Sequence, residues 1–210
     1  MTISDIIKNT KCPFAKNAKM VDPIVVDSLD LFHQINSVKS LISNFFINAP
    51  KLKYDALCLI FTDPLFGDTI EHLSQNTYNF FKAIEVIFND FKVPEEILDY
   101  NDIWWPSIEN ERFFLVSFAS CYSKHSPRFN HGDQSTYFFL QPVSSFENHA
   151  KDGNAVSDEL RIKIRDLFSK HHQPYDGSIS CLKNELVKMV HPLHFGDKIV
   201  QWWKATGEVI

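Results

Sequence analysis

A cysteine near the N-terminus has the surroundings of a reactive thiol. Cys12 precedes Pro13 in the stretch KCPFAK, and the basic residues Lys16 and Lys19 follow shortly after it. Nearby positive charge lowers the pKa of a thiol and favours the thiolate, which is the nucleophile and the metal ligand. We therefore expect a thiolate at Cys12 that can attack a substrate or bind a metal. The alternative is a small buried hydrophobe, the usual role of a free cysteine.

Three arginines have the chemistry of a carboxylate clamp. Arg128 lies in a polar loop, residues 121–135, between two apolar segments, and such loops are where function tends to reside. Arg161 and Arg165 are four residues apart, which places them on one face of a helix. A guanidinium group binds a carboxylate through two parallel hydrogen bonds. We expect these arginines to bind a propionate or an amino-acid carboxylate, the alternative being solvated helix arginines.

Histidines offer two further possibilities. His125 lies in the same polar loop as Cys121 and is a candidate base or metal ligand. His191 and His194 are three residues apart and can share a metal ion, but they flank Pro192, so a regular helical pair is doubtful. The sequence contains none of the H-E-x-x-H or H-x-E with P-C-x-x-C patterns of zinc proteases and deaminases. A metal-dependent hydrolase built on His191 and His194 remains an alternative.

The composition removes several classes of function. The 210 residues carry a net charge of −5, which argues against a nucleic-acid partner. Only 6 residues are glycine, and neither G-x-G-x-x-G nor a Walker loop is present, so a phosphate-cradling loop is not expected. The chain is rich in aromatic residues, with 19 phenylalanines. This indicates either a heavily packed core or an aromatic pocket for a flat ligand.

The N-terminal residues and the cysteines indicate a cytoplasmic protein. The first twenty residues lack a basic start followed by an apolar run, so no signal peptide is expected. No stretch reaches the roughly 20 apolar residues of a membrane helix. The 4 cysteines form no C-x-x-C pair, which disfavours a zinc knuckle or a thioredoxin motif.

The elements that must position these residues follow from hydrophobic spacing. Apolar residues recur with helical period in four segments and form compact runs in three others. Helices and strands do not alternate regularly, so we expect an α+β fold: a single domain over residues 1–210, with a mixed or antiparallel sheet and several flanking helices. The predicted helices are 27–48, 70–91 (opened by a capping box at 68–71), 157–170 and 181–190, and the predicted strands are 55–62, 112–120 and 136–141.

Five segments, in order along the chain, together resemble the YqcI/YcgG family. Each segment matches the family pattern at only some of its positions, and the resemblance rests on the order and spacing of the five segments. The segments are KCPFAK with Cys12; RFFLVSFAS followed by SKHSPRF, with Arg128 and Phe129; FFLQPVSSFE with Gln141, Phe146 and Glu147; LRIKIRD with Arg161, Ile164 and Arg165; and HPLHFGDKIVQWW with Pro192, Phe195, Gly196, Gln201 and Trp202.

The resemblance implies a function. Members of the family include heme-dependent N-oxygenases, which hydroxylate guanidine or amine nitrogens of amino acids and related small molecules. By this resemblance the chain would bind heme and use an electron donor, and a homodimer is compatible with it. The residues implied to bind the cofactor are Cys12, His125, Arg128, Gln141, Arg161, Arg165 and Trp202.

The chain also departs from the family pattern. Lys124 and Pro127 stand where arginine is usual, and Val143 and the pair Ala119-Ser120 replace positions where members carry histidine. If those histidines bind iron in relatives, this chain needs another ligand. Heme iron in proteins is held by His, Cys thiolate, Met or Tyr, so Cys12 is the first candidate and His125 the second. A non-catalytic heme-binding or ligand-binding protein of the same fold is the alternative.

Overall fold

A five-stranded mixed sheet forms the centre of the computed structural model, which describes residues 3–149 and 158–205. The strand order is β1-β2-β5-β4-β3. The first pair is parallel and the others are antiparallel. The strands are β1 (Ile24–Val26), β2 (Leu57–Phe61), β3 (Ser107–Ile108), β4 (Glu111–Phe118) and β5 (Thr136–Pro142).

Helices of very different lengths surround the sheet. Together they confirm the predicted α+β class and a mixed sheet with flanking helices in a single domain. None of the helices in the described part of the chain is long and apolar enough to cross a membrane. The helices are α1 (Ile3–Asn9), α2 (Leu31–Ser37), α3 (Lys39–Leu52), α4 (Ile70–Phe88), α5 (Val143–His149), α6 (Asp158–Lys170), α7 (Gly177–Ser180) and α8 (Leu186–Met189), with 3-10 turns at Ala15–Asn17, Pro64–Phe66 and Trp202–Lys204.

The main core lies on one face of the sheet. Side chains alternate between the two faces of a strand, so Phe138 and Leu140 of β5 point to the same side. They pack with Phe61 of β2 and with apolar residues of α2, α3 and α4. The ring of Phe138 makes edge contacts with Phe61, Phe66 and Phe80 at centroid distances of 4.9 to 5.5 Å. Much of the phenylalanine in the chain therefore serves core packing.

A smaller cluster occupies the opposite face. Cys58 of β2, Phe118 of β4, and Tyr137 and Phe139 of β5 belong to this cluster, together with Ile6 of α1. The strand register brings them together, because Cys58 and Phe139 are partners and so are Phe118 and Tyr137. The N-terminal segment covers this face, and the candidate site lies beneath it.

Two predicted helices differ from the structure for local reasons. The helix predicted over 27–48 begins at Leu31, where Asp30 accepts a hydrogen bond from the backbone N–H of His33, and it is interrupted at Val38. The helix predicted over 181–190 was wrong over most of its length. Only Leu186–Met189 is helical there, because the side chain of Asn184 accepts the N–H of Leu186 and starts a new turn.

The long predicted helix over 70–91 was placed well, but its ends differ. Thr69 is the N-cap and accepts the N–H of His72, whereas Asp68 binds the imidazole of His72. The helix ends at Phe88 because Asn89 takes a left-handed conformation with φ 58°, well before Pro94. The strands β1 and β3 and the helices α1 and α5 were not predicted.

Candidate functional site

An apolar cavity lies between the N-terminal segment and the second face of the sheet, and we call it the Cys12 cavity. Its volume is about 180 Å³. Cys12 and Gln141 both line it, so the structure brings together two site residues that are far apart in the sequence. The other lining residues are Ile6, Ile7, Thr10, Phe14, Ala15, Ala18, Asp55, Val116, Phe118, Phe139, Ser145, Phe146, Phe168 and Tyr175.

The floor of this cavity is set by strand alternation. Val116 and Phe118 of β4 and Phe139 and Gln141 of β5 point to the same face because they are two residues apart on each strand. Val116 and Phe139 are register partners across the two strands. This arrangement yields an apolar floor with one amide, that of Gln141, which can donate and accept hydrogen bonds.

Cys12 is held as a thiol. Burial raises its pKa, while hydrogen bonds from the backbone at Phe14 and Ala15 oppose the effect and do not cancel it. The expected thiolate at this position was therefore wrong for the ligand-free protein. Lys19 does not supply the charge that the sequence indicated, since its ammonium donates to the carbonyl of Leu52 at 2.9 Å and lies over the ring of Tyr54.

The guanidinium of Arg128 is buried and makes few hydrogen bonds. Only 5% of the residue is exposed. Its Nη2 donates to the carbonyl of Lys188 at 3.4 Å, whereas Nε and Nη1 have no hydrogen-bond partner in the described residues. Its charge acts on Tyr175, which lines the Cys12 cavity, and on His191. The guanidinium thus lies close to the cavity wall but is not itself part of the lining.

A second cavity, which we call the His191 cavity, contains the histidine candidates. Its volume is about 170 Å³, and His125, His191 and His194 line it with Ser126 and Asp176. His125 therefore does not share a cavity with Cys12. Burial and the charge of Arg128 hold the pKa of His191 well below its usual range, so this imidazole is neutral. Across residues 3–149 and 158–205, no group of three or more His, Cys, Asp or Glu side chains could hold a metal ion.

The remaining predicted site residues have structural roles or lie elsewhere. Arg165 donates to the sulfur of Cys181 at 3.4 Å and to the carbonyl of Ser180 at 3.1 Å, which ties α6 to α7. Arg161 is exposed on α6, and its charge acts on Glu185. The predicted three-arginine clamp is therefore not assembled around the Cys12 cavity.

Trp202 lies in the main core and does not line the Cys12 cavity. Its indole packs against Phe81 at a centroid distance of 5.0 Å and donates to the carbonyl of Leu186 at 2.8 Å. Burial of an indole with its N–H satisfied is the usual structural role of tryptophan. We therefore remove Trp202 from the cofactor-binding residues.

Several lining residues were missed by sequence reasoning. Phe168 and Tyr175 pack edge to face at 4.9 Å and close one side of the Cys12 cavity. Phe168 was predicted to face inward on its helix, but no local pattern distinguishes a cavity wall from core. Ser145 and Phe146 follow β5 in α5, which was not predicted as a helix. Alternation along β5 was the one signal that would have paired Phe139 with Gln141.

In comparisons with protein-family models, with curated proteins and with solved structures, nothing matches this chain.

Proposed function

We propose that the Cys12 cavity binds heme and that the protein is a heme-dependent monooxygenase, which hydroxylates an amine or guanidine nitrogen of an amino-acid-like small molecule. The observation that carries the proposal is the meeting of Cys12 and Gln141 in one aromatic cavity. These residues match two separate segments of the YqcI/YcgG resemblance. A shared cavity is what a common cofactor site requires.

The donor set of the cavity suits heme. A cysteine sulfur is one of the axial ligands that heme iron accepts, and Phe118, Phe139, Phe146 and Phe168 supply apolar walls for a flat macrocycle. Metal binding deprotonates a thiol, which overcomes the raised pKa of Cys12. The buried guanidinium of Arg128, with two unpartnered nitrogens, suits a propionate.

The volume of the cavity sets a condition on this proposal. Pockets for drug-sized ligands usually measure roughly 300–1,000 Å³, whereas the Cys12 cavity measures about 180 Å³. Seven of its lining residues belong to the N-terminal segment, between Ile6 and Ala18. Cys12 belongs to this segment, so heme binding requires its other residues to move outward while Cys12 and the floor on β4 and β5 keep facing each other.

The residues of the chain have distinct parts in the proposed chemistry. Bound heme with a thiolate ligand supplies activated oxygen, because electron donation from sulfur favours O–O cleavage. The phenylalanine walls exclude water from the reacting centre, and the Gln141 amide can orient a polar group of the substrate. One oxygen atom of O₂ leaves as water, so the reaction needs an electron donor, and we propose a cytoplasmic reductase-type partner.

Titration with hemin tests the proposal. Wild-type protein should give a Soret band distinct from free hemin, with saturation at one heme per chain. Cys12→Ser should lose or displace this band, since a hydroxyl does not replace a thiolate ligand. The matched control is Cys181→Ser, which changes an exposed cysteine outside the cavity and should leave the spectrum unaltered. Free-hemin spectra at all ratios would contradict the proposal.

A second function is favoured by two observations on the same cavity. Its small volume, and the lack of any Lys or Arg among its described lining residues, suit a small uncharged ligand better than a dicarboxylate macrocycle. The protein would then be a non-catalytic ligand-binding protein. Heme-loaded protein supplied with a reductant, O₂ and arginine or lysine separates the two functions. Formation of an N-hydroxylated product favours the oxygenase. Bound heme without product, or no bound heme together with a raised unfolding midpoint on addition of a small uncharged probe such as indole, favours the binding protein.

A further inference from the structure

The strongest unexplained feature of the structure is the guanidinium of Arg128. Arginine stays protonated in proteins, so its charge persists when it is buried. Leaving a buried charge without a partner is strongly unfavourable. Arg128 is 5% exposed, and two of its three guanidinium nitrogens have no partner among the described residues. The one hydrogen bond that the guanidinium makes to the described residues, with the carbonyl of Lys188, is long at 3.4 Å.

The nearby acidic groups are already engaged. The charge of Arg128 acts on Glu185, but the carboxylate of Glu185 binds the ammonium of Lys188 at 2.6 Å. Asp176 accepts hydrogen bonds from the backbone of Ser178 at 2.8 Å and of Gly196 at 2.9 Å. Among the described residues, the carboxylates of Glu185 and Asp176 therefore have other partners.

A ligand could reach Arg128 from either of the two cavities. Tyr175 lines the Cys12 cavity and His191 lines the His191 cavity, and their rings contact each other at a centroid distance of 5.8 Å. The charge of Arg128 acts on both rings. Ser126 and Pro127, which directly precede Arg128, also line the His191 cavity. Arg128 thus lies at the partition between the two cavities.

We propose that Arg128 is the binding residue for a carboxylate group of a ligand. The carboxylate belongs either to a heme propionate that approaches from the Cys12 cavity or to a small carboxylate ligand in the His191 cavity. A guanidinium binds a carboxylate with two parallel bonds, either through Nε and Nη2 or through Nη1 and Nη2. Nε and Nη1 are the nitrogens left without partners, and Nη2 uses only one of its two hydrogens in the long bond to Lys188, so one such pair stays available. Only the heme source rests on the proposed function.

The first experiment uses benzoate as a carboxylate probe and benzamide as its neutral counterpart. Thermal unfolding of the full chain is followed at rising concentrations of each. Benzoate should raise the midpoint of the wild type, as a ligand of the folded state does, and benzamide should not. Arg128→Met should lose the response to benzoate. The matched control is Arg112→Met, an exposed arginine of β4, which should keep it.

The same variant tests the opposing explanation, that Arg128 is purely structural. Replacement of an uncompensated buried charge by an apolar side chain of similar size is often neutral or stabilising. Ligand-free Arg128→Met should therefore melt at the wild-type temperature or above it. A lower midpoint in this variant, together with no benzoate response in the wild type, would overturn the inference. If the variant does not fold, Arg128→Lys replaces it, and a weakened benzoate response is expected because the fork is lost.

Hemin and its dimethyl ester separate the two sources of the carboxylate. The ester has the same macrocycle without free propionates. If a propionate binds Arg128, hemin should bind the wild type about tenfold or more tightly than the ester, and Arg128→Met should remove the difference. A benzoate response without a heme spectrum would support the small carboxylate ligand and contradict the heme proposal. Equal binding of hemin and ester, with no benzoate response, would contradict the inference and leave the heme proposal standing.

Discussion

At the scale of single residues, burial overrides the local charge pattern. Cys12 is followed by two lysines, which predicted a lowered pKa, but desolvation in the cavity raises it. Arg128 was predicted to form a carboxylate clamp with Arg161 and Arg165, but in the structure it is buried, whereas Arg161 is exposed. The candidate residues could be chosen from the sequence, whereas their burial depends on which segments pack over them.

The raised pKa of Cys12 predicts slow alkylation. Since the thiolate is the reacting species, Cys12 should react with iodoacetamide severalfold more slowly than the exposed Cys181 at neutral pH. Cys121, with a pKa raised to about 12 by burial, should be slow as well. Peptide-resolved mass spectrometry measures the rates, and denaturant should make them converge. Cys12 reacting as fast as Cys181 in the folded protein would restore the thiolate that the sequence suggested.

His191 predicts a loss of stability in mild acid. Its pKa in the folded protein lies well below the usual 6.5, so below that pH the unfolded chain binds a proton that the folded chain does not. The free energy of unfolding should fall as pH decreases from 7 to 5, by up to about 1.4 kcal/mol per pH unit from this group. Urea unfolding at several pH values measures the slope.

The variant His191→Gln should flatten this dependence. A smaller slope should remain from His131, whose pKa is also lowered by burial. His172→Gln, at an exposed position, is the control and should keep the wild-type slope. An unchanged slope in His191→Gln would show that this imidazole is not the group that titrates.

At the scale of elements, long periodic segments were predicted well and short ones were not. β2, β4, β5 and α4 follow from alternation or helical spacing over many residues. The strand β1 has three residues and pairs in parallel with β2, so its own sequence carries too little pattern. α7, which was not predicted, is capped by the side chain of Asp176. Within the helix predicted over 181–190, the side chain of Asn184 accepts the N–H of Leu186, and α8 begins only there.

Gly67 is a contact point between elements that only glycine fits. A Cβ atom there would meet the hydroxyl of Thr136 at the start of β5 and lie 3.0 Å from the Cβ of Ala119. Gly67→Ala should lower the free energy of unfolding by roughly 1–3 kcal/mol, the usual cost of overpacking. The control is Gly177→Ala, where nothing lies within 4 Å of the added atom. Equal midpoints of urea unfolding for the two variants would contradict this packing.

At the scale of the whole molecule, the sheet separates a filled core from a face with a cavity. The aromatic richness of the sequence was compatible with both a packed core and a flat-ligand pocket. The structure has a packed core on one face of the sheet and an aromatic-lined cavity on the other. The division passes between adjacent residues, since Phe138 faces the main core and Phe139 lines the Cys12 cavity. The sequence could predict alternation there but not which face would be left incompletely filled.

Phe138 and Phe139 form a matched pair for testing this division. Phe138→Ala should cost about 3–5 kcal/mol of stability, as is usual for a fully packed phenylalanine. Phe139→Ala should cost less, because its ring already borders empty space, and should instead change ligand binding. Denaturant unfolding and hemin titration of both variants measure the two effects. A larger loss of stability at Phe139 would contradict the assignment of the faces.

The carbon monoxide difference spectrum of reduced, heme-loaded protein tests the central claim most directly. The claim is that the Cys12 cavity holds heme through the sulfur of Cys12. The predicted result is a Soret band displaced to longer wavelength on addition of carbon monoxide, as thiolate ligation produces, which disappears in Cys12→Ser and persists in Cys181→Ser. The claim is contradicted if the wild-type spectrum is that of free heme, or if Cys12→Ser gives the wild-type spectrum.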